Sequence, residues 1–250
     1  MVDVWTAYAN SLGKLGRYDE AIAAAKEGLR LAPTTTNLVV MIANMDLKTN
    51  RLDDAEKHAK LALADTPHEA HSLLAQVWLA RKNYAKATEE ANAAFGTKRD
   101  RPFALLTLGR IELEEGKVDA AMREFDQASA LLQEKQRQPL PGLNFSRGDA
   151  LARLGRGAEA EEAFRKEIEL FPTDPQSYKN LILLYVVEGR NDEATKLIFS
   201  LEKSAPTPPS YVAISETLKI IGDRSGARFW AARGLSRFPN DRQLQALARG

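Results

Sequence analysis

The chain has 250 residues, of which 44% are hydrophobic and 28% are charged, and its formal net charge is +1 at pH 7. This composition is typical of a soluble globular protein and not of a disordered one. The near-neutral charge gives no overall basic field of the kind that nucleic-acid-binding proteins usually carry. The absence of cysteine excludes disulfides, thiolate metal sites and cysteine nucleophiles.

A six-residue segment that ends on alanine occurs seven times along the chain, at intervals of 34, 32, 34, 39, 34 and 33 residues. The copies occupy residues 16–21, 50–55, 82–87, 116–121, 155–160, 189–194 and 222–227. A period near 34 residues is typical of stacked helical hairpins, which complete their cores only by packing on their neighbours. The sequence therefore predicts an all-α fold of seven helix-turn-helix repeats.

The six-residue segment also predicts where the helices of each repeat begin and end. Its first residue is Gly in five copies and Asn50 in a sixth, and a helix commonly ends through a left-handed residue, which favours Gly and then Asn. An acidic residue then precedes the next helical run in four copies, where the positive helix N-terminus stabilises it. These residues are Asp19, Asp53, Asp119 and Asp192.

Small residues recur at fixed distances from the segment's alanine. Twelve positions upstream of it stand Ala9, Ala43, Ala75, Gly109, Gly148, Ile182 and Ser215, nearly all of them small. Seven positions downstream stand Gly28, Ala62, Ala94, Ala128, Glu167, Leu201 and Gly234. Small side chains at matching points let two helices approach closely, so these positions predict tight hairpins that must stack to bury their remaining faces.

These residues resemble the tetratricopeptide repeat (TPR) family from about residue 2 to residue 239. The resemblance implies a right-handed α-solenoid with repeats at residues 2–35, 36–67, 68–101, 102–140, 141–174, 175–207 and 208–239, closed by a short capping helix at 240–250. The family's aromatic position on the second helix holds Phe125 and Phe164. Alanine replaces it elsewhere, so we expect some repeats to be lightly packed. The alanines are Ala25, Ala59, Ala91 and Ala231.

Two irregularities bear on domain organisation. We expect residues 1–250 to form a single array within a longer protein, because no polar cap precedes Trp5. A natural start with an exposed first helix is the alternative.

Five extra residues interrupt the period within residues 133–142. They form either a hinge or partner-contacting lip that divides four repeats from three, or a tolerated surface insertion.

The sequence predicts no catalytic constellation, no metal site and no cofactor, so we expect the chain not to be an enzyme. His68 and His71 are three residues apart and could point toward one metal ion, but no nearby acidic or cysteine ligand set completes a site. His58 stands alone. The basic segment at residues 98–101 is broken by Asp100 and is too short to indicate nucleic-acid binding.

In the TPR family the first helix of each repeat lines the concave groove, and the resemblance implies a partner-binding groove here. Its candidate residues are Asn10, Asn44, Gln76, Phe103, Leu106, Arg110, Phe145, Asp149, Lys179, Leu183, Val212 and Glu216. Asn10 and Asn44 occupy the same position in neighbouring repeats, and an amide can bind a peptide main chain as donor and acceptor. Solvated polar positions are the alternative. Phe103, Phe145 and Val212 make the groove of the later repeats more apolar, and Val187 occupies a groove position in the same repeats.

The sequence therefore predicts a scaffold that binds another protein or a peptide segment in this groove, with no nucleic acid and no direct membrane insertion. The longest apolar run, residues 181–187, is far too short to span a bilayer, and residues 1–14 show no signal-peptide pattern. The alternatives are an accessory or oligomerisation domain of a larger bacterial protein, itself an enzyme in some cases, and a peptide- or ligand-sensing module. Self-association through the uncapped first repeat is a further expectation. The sequence leaves the compartment, cytoplasmic or periplasmic, undetermined.

Overall fold

The computed structural model describes residues 1–96, 101–134 and 136–250, and within these residues every regular element is helical. Most of the predicted basic segment, at residues 98–100, and Lys135 of the predicted insertion lie outside the described residues. The helices are α1 (Val2–Lys14), α2 (Tyr18–Leu31), α3 (Thr36–Lys48), α4 (Leu52–Ala62), α5 (Pro67–Ala80), α6 (Tyr84–Ala93), α7 (Arg101–Glu114), α8 (Val118–Glu134), α9 (Leu143–Arg153), α10 (Gly157–Leu170), α11 (Pro175–Val187), α12 (Asn191–Ser204), α13 (Pro208–Ile220), α14 (Arg224–Leu235) and α15 (Arg242–Arg249).

Consecutive helices pack as helix-turn-helix hairpins, which confirms the predicted all-α solenoid. We call the first helix of each hairpin its A helix and the second its B helix, so that α1 is an A helix and α2 a B helix. The chain divides into two compact units, unit 1 (Met1–Leu140) and unit 2 (Pro141–Gly250). Unit 1 holds the first four hairpins, and unit 2 holds the last three with α15. The boundary between them falls inside the predicted insertion at residues 133–142.

The turn inside each hairpin has the same geometry in all seven copies. The first residue of the repeated segment has positive φ throughout: Gly16 (70°), Asn50 (57°), Lys82 (58°), Gly116 (79°), Gly155 (73°), Gly189 (75°) and Gly222 (87°). The amide of the following residue donates to the carbonyl five residues earlier, as from Arg17 to Leu12 at 3.0 Å. This pattern ends a helix through a left-handed residue, as predicted.

The acidic residues of the repeated segment are the second residue of their B helices, whereas the sequence suggested that they precede the helix. Asp19 and Asp53 are in the first turn of α2 and α4, and the residue before each helix is an arginine without a side-chain cap. A carboxylate in the first turn still faces the positive end of the helix, so its stabilising effect is retained.

The predicted close helix crossings are present. The segment's alanines are all buried, and so are the residues twelve positions before them. A β-carbon built on Gly109 would lie 2.4 Å from the Phe125 ring, and one on Gly148 would lie 2.6 Å from the Phe164 ring. The two aromatic rings therefore occupy the space that a side chain on the facing helix would need.

A buried carboxylate accepts hydrogen bonds from the N-terminus of helix α9, the helix that carries Phe145. Glu167 of α10 accepts hydrogen bonds from the backbone N–H of Gly142 (2.5 Å) and of Asn144 (3.1 Å). Burial raises the pKa of Glu167, while these backbone hydrogen bonds oppose that rise. The carboxylate satisfies N–H groups that the start of a helix would otherwise leave unpaired, and it joins the two helices of the fifth hairpin.

The predicted capping helix corresponds to α15, which packs on α13 and α14. Asp241 caps its N-terminus by accepting a hydrogen bond from the Leu244 N–H at 2.9 Å. Leu244 is fully buried, whereas the arginines at either end of the helix are exposed. A short helix with one buried leucine and a polar outer side therefore covers the last hairpin.

Candidate functional site

The A helices form the inner face of unit 2. Helix α11 contacts both α9 and α13 directly, so neighbouring A helices lie close together. The B helices are linked by long side chains, for example from Arg233 of α14 to Glu202 of α12 (Nε–Oε1 2.5 Å). Since the layer of A helices is the more closely spaced, unit 2 curves toward it, and the A helices line its concave side.

The candidate residues of unit 2 fall into two groups. Lys179 of α11 and Glu216 of α13 are brought together as an ion pair (Nζ–Oε2 3.7 Å), and Asp149 pairs with Arg153 on α9 (3.0 Å). The apolar candidates belong largely to the core. Val212 is buried, Leu183 is half-buried, and the Phe145 ring lies 6.1 Å from that of Phe164. Val212 and Phe145 therefore present little surface to a partner.

Two exposed aliphatic residues lie at the C-terminal ends of the A helices of unit 2. Val187 of α11 is 86% exposed and Ile220 of α13 is 61% exposed. Both stand seven residues before the segment's alanine, a position that holds Lys14, Lys48, Ala80, Glu114 and Arg153 in the other repeats. Sequence reasoning included Val187 but missed Ile220, although the same spacing from the alanine would have found it.

The candidate residues of unit 1 are mostly polar. Asn10, Asn44 and Arg110 are exposed, Gln76 and Phe103 are half-buried, and Leu106 is buried. Asn44 and Gln76 each donate one amide N–H to the carbonyl four residues earlier, at 3.1 and 3.3 Å. Helix α5 contacts both α3 and α7, so Asn44, Gln76 and Arg110 lie on adjacent A helices.

A network of charged side chains lies where the fifth and sixth repeats of unit 2 meet. Arg190 donates to Glu161 (Nη1–Oε2 2.6 Å), and Tyr185 donates to the same carboxylate at 2.8 Å. The Arg190 hydrogen bond lowers the pKa of Glu161 to about 2. A cleft of about 400 Å³ adjoins the network, with an apolar floor that includes Leu181 and Leu197. Arg190 therefore ties the sixth repeat to the fifth.

Two of the three histidines, His58 and His71, pair with acidic residues. His58 Nδ1 lies 2.9 Å from the buried Asp46, which also accepts from Arg51 Nε at 2.9 Å. His71 Nδ1 lies 2.7 Å from Glu90, an acidic neighbour that the sequence did not reveal. Across residues 1–96, 101–134 and 136–250, no group of three or more His, Asp or Glu residues is arranged to hold a metal ion. Within the same residues, no helix combines the length and apolarity needed to cross a membrane.

A stack of two-helix hairpins whose A helices share one face is the architecture of helical-repeat interaction scaffolds. The chain belongs to the tetratricopeptide repeat family. Family models described as tetratricopeptide repeat match residues 14–77 and the overlapping stretches 106–175 and 145–201. These matches fall on both units and agree with the repeats identified in the sequence.

Related proteins agree with this assignment. Tetratricopeptide repeat protein 21A of Mus musculus is 27% identical over 146 residues, which cover 57% of this chain and 11% of that protein. The chain thus spans about a tenth of the length of that relative. TTC0263, a thermophilic TPR protein in Thermus thermophilus, has a TM-score of 0.64 and 20% identity, covering 74% of this chain and 100% of that chain.

A chain of the APC/C hetero-tetramer Cut9–Hcn1 has a TM-score of 0.67 and 13% identity, covering 98% of this chain and 48% of that chain. Identities of 13% and 20% show a shared fold. Together with the family matches, they define the chain as a TPR protein-interaction scaffold.

Proposed function

We propose that the concave side of unit 2 binds a segment of a partner protein, with Val187 and Ile220 as its apolar anchors. The observation that carries this proposal is the exposure of two aliphatic side chains at one repeat position where four of the five other repeats have a charged residue. Covering an aliphatic side chain on a partner removes apolar surface from water and contributes about 1–2 kcal/mol per anchor.

Polar groups around these anchors supply orientation. The Lys179–Glu216 pair lies on the same two helices, and a partly exposed ion pair of this length can exchange partners at little cost. In unit 1, Asn10, Asn44 and Gln76 serve a different purpose in this proposal. Their amide groups retain acceptors and a donor for the main chain of an extended peptide, whatever its sequence.

Peptides selected from a random display library on the full chain would test the unit 2 site. We expect a set of peptides to be enriched on the wild type and not on the Val187→Asp/Ile220→Asp variant, and these peptides to bind the variant at least about tenfold more weakly. Both positions are exposed, so the variant should keep its helical circular-dichroism spectrum. Leu61→Asp is a matched control, because Leu61 is a 62% exposed aliphatic residue on a B helix of unit 1.

Equal binding of every selected peptide by the wild type and the Val187→Asp/Ile220→Asp variant would contradict the proposed site. Loss of binding with Leu61→Asp as well would show that the added charge, and not its position, weakens the interaction. Selected peptides that depend on Asn10 and Asn44, and not on Ile220, would place the main site in unit 1.

Self-association through α1 is a second candidate, favoured by the exposure of Val4 and Tyr8 on this helix. Two copies could cover these side chains by packing their first helices together. We expect Val4→Lys/Tyr8→Lys to shift the chain toward the monomer in sedimentation equilibrium at high concentration. A wild-type chain that is monomeric throughout would contradict this candidate.

We further propose that the chain contributes binding and not chemistry, either alone or as an accessory module of a longer protein. The histidine–carboxylate pairs join neighbouring helices, which is a structural role. A hydrolase or transferase activity that survives rigorous purification and is lost with His68→Ala or His71→Ala would overturn this proposal.

A further inference from the structure

Two phenylalanines are exposed on the outer side of unit 2, away from the A helices. Phe199 of α12 is 55% exposed and Phe229 of α14 is 60% exposed. Both rings pack edge-on against the buried Trp230, with centroid distances of 5.5 and 5.8 Å. In these three side chains, which we call the aromatic patch, two exposed rings contact one buried indole.

The other repeats show that helix packing does not require these phenylalanines. Phe229 stands two residues after the segment's alanine, where the other repeats have Ala23, Lys57, Glu89, Arg123, Glu162 and Lys196. Phe199 stands five residues after it, where they have Lys26, Lys60, Asn92, Asp126, Arg165 and Ala232. All twelve of these residues are exposed. The two phenylalanines therefore replace mostly charged residues at positions that face outward from the repeats.

The charge of α14 is also unlike that of the other B helices. Each of the other six contains at least two acidic residues, whereas α14 contains none and has three arginines. Arg224 and Arg228 are exposed, and no side-chain hydrogen bond or ion pair joins either of them to the described residues. Arg233 is held by Glu202 with its guanidinium 5.6 Å from the centre of the Trp230 ring. The exposed ring of Phe229 and two unpaired positive charges thus share helix α14.

We propose that the aromatic patch, with Arg224 and Arg228, is a second docking surface, and that its occupant is an acidic segment of another protein. An apolar side chain of that segment would pack on Phe199 and Phe229, and neighbouring carboxylates would pair with the two arginines. This surface lies on the B helices and is independent of the concave site proposed above.

The surrounding charges favour an acidic protein segment over an anionic membrane. Asp192, Glu193 and Glu202 lie on α12 with Phe199, and Asp223 precedes α14. A flat anionic membrane surface would bring its headgroups against these carboxylates as well as against the arginines. A peptide can place its acidic side chains on Arg224 and Arg228 alone, so the local charge pattern suits a narrow ligand.

Selection from a random peptide display library, on the full chain and in parallel on Phe199→Lys/Phe229→Lys, would test the proposal. Lysine occupies both positions in other repeats, so the variant should fold normally and keeps the positive charge. We expect acidic peptides with an aromatic or aliphatic residue to be enriched on the wild type only. Arg224→Gln/Arg228→Gln tests the charges, and Lys26→Gln/Lys57→Gln removes two charges at outward positions of unit 1.

The synthetic consensus peptide should bind at least about tenfold more weakly to Phe199→Lys/Phe229→Lys and more weakly to Arg224→Gln/Arg228→Gln, with little change for Lys26→Gln/Lys57→Gln. Its affinity should be unchanged by Val187→Asp/Ile220→Asp, which separates this surface from the concave site. Four results would overturn the proposal: no acidic enrichment, equal binding by the phenylalanine variant, patch-dependent binding to phosphatidylserine vesicles, or patch-dependent dimerisation of the chain.

Discussion

The first and the fifth hairpins bring their two helices together with different side chains. In the fifth hairpin Gly148 on the A helix leaves room for the Phe164 ring on the B helix. In the first hairpin the corresponding residues are Ala9 and Ala25, both fully buried in one core cluster. A hairpin thus fills the space between its two helices in one of two ways. Either a large side chain on one helix faces a glycine on the other, or each helix contributes a small side chain.

The same rule describes other hairpins. Gly109 and Phe125 repeat the glycine–phenylalanine combination in unit 1, where a β-carbon on Gly109 would also collide with the ring. The sixth hairpin departs from the rule, because it has two larger residues, Ile182 and Ile198, both buried. In all of these hairpins, buried side chains fill the space where the two helices cross. The residue at each of the two positions varies between repeats, because a close-packed core responds to the total volume of the side chains that fill it.

The largest expected effect is on Phe164. Phe164→Ala should lower the free energy of unfolding by about 3–5 kcal/mol, because it removes a buried ring and leaves a cavity beside Gly148. Gly148→Ala alone should cost about 1–3 kcal/mol, because the new β-carbon collides with the ring. The double variant Gly148→Ala/Phe164→Ala recreates the Ala9 and Ala25 combination of the first hairpin. Urea unfolding of the three variants would measure these changes.

We expect the double variant to be more stable than the sum of the two single losses predicts. If the losses of the two single variants add strictly in the double variant, the two side chains do not occupy one shared space. That result would contradict the comparison between the first and fifth hairpins. The same double-mutant cycle at Gly109 and Phe125 would show whether glycine and phenylalanine share one space at the helix crossing in both units.

Part of this arrangement could be predicted from the sequence. The period, the turns and both series of crossing residues are visible as fixed spacings from one alanine, because every repeat folds in the same way. The match between Gly148 and Phe164 was not predicted, since each series was considered separately and alanine at the aromatic position was interpreted as light packing. That interpretation stays a prediction, which hydrogen exchange can test.

The site was less accessible to sequence reasoning than the fold. The concave helices were predicted, but a family position does not tell whether a side chain is exposed: Val212 is buried and Ile220 is open to solvent. Contacts between repeats could not be predicted from the sequence either. Arg190 and Glu161 are 29 residues apart, and only the stacking of the fifth and sixth hairpins brings them together.

The Arg190–Glu161 contact gives the second-largest expected effect. The folded pKa of Glu161 is about 2, below its ordinary value of 4.5. A carboxyl with a lowered folded pKa contributes stability that is fully present above about pH 4.5 and is lost as the pH falls toward about 2. Glu161→Gln should therefore cost about 1–3 kcal/mol near neutral pH and progressively less in acid.

Chemical unfolding of the wild type and Glu161→Gln at several pH values would measure this difference. Glu56→Gln is a matched control in unit 1, since Lys60 and Arg81 lower the pKa of Glu56 in a similar contact between repeats. A wild-type advantage over Glu161→Gln that stays constant from neutral to acidic pH would exclude the carboxylate's charge as its source.

Hydrogen exchange compares the alanine and aromatic crossings directly. We expect amides in residues 2–31 to exchange faster than those in residues 143–201, by about tenfold or more, if alanine crossings open more easily. Limited proteolysis should cut first within residues 133–142, where the boundary between the units falls. Uniform protection together with a resistant 133–142 segment would contradict both expectations and would favour a packed insertion.

The smallest expected effect concerns the turns, where the two units also differ. Every hairpin turn of unit 2 uses glycine, whereas two of unit 1 place Asn50 and Lys82 at positive φ. A lysine in this region bears a steric strain that glycine does not, so Lys82→Gly should raise the free energy of unfolding by up to about 1 kcal/mol. Gly155→Ala, in the corresponding turn of the fifth hairpin, should lower it by a similar amount. If Lys82→Gly were instead destabilising, the greater freedom of glycine in the unfolded chain would outweigh the strain relieved in the turn.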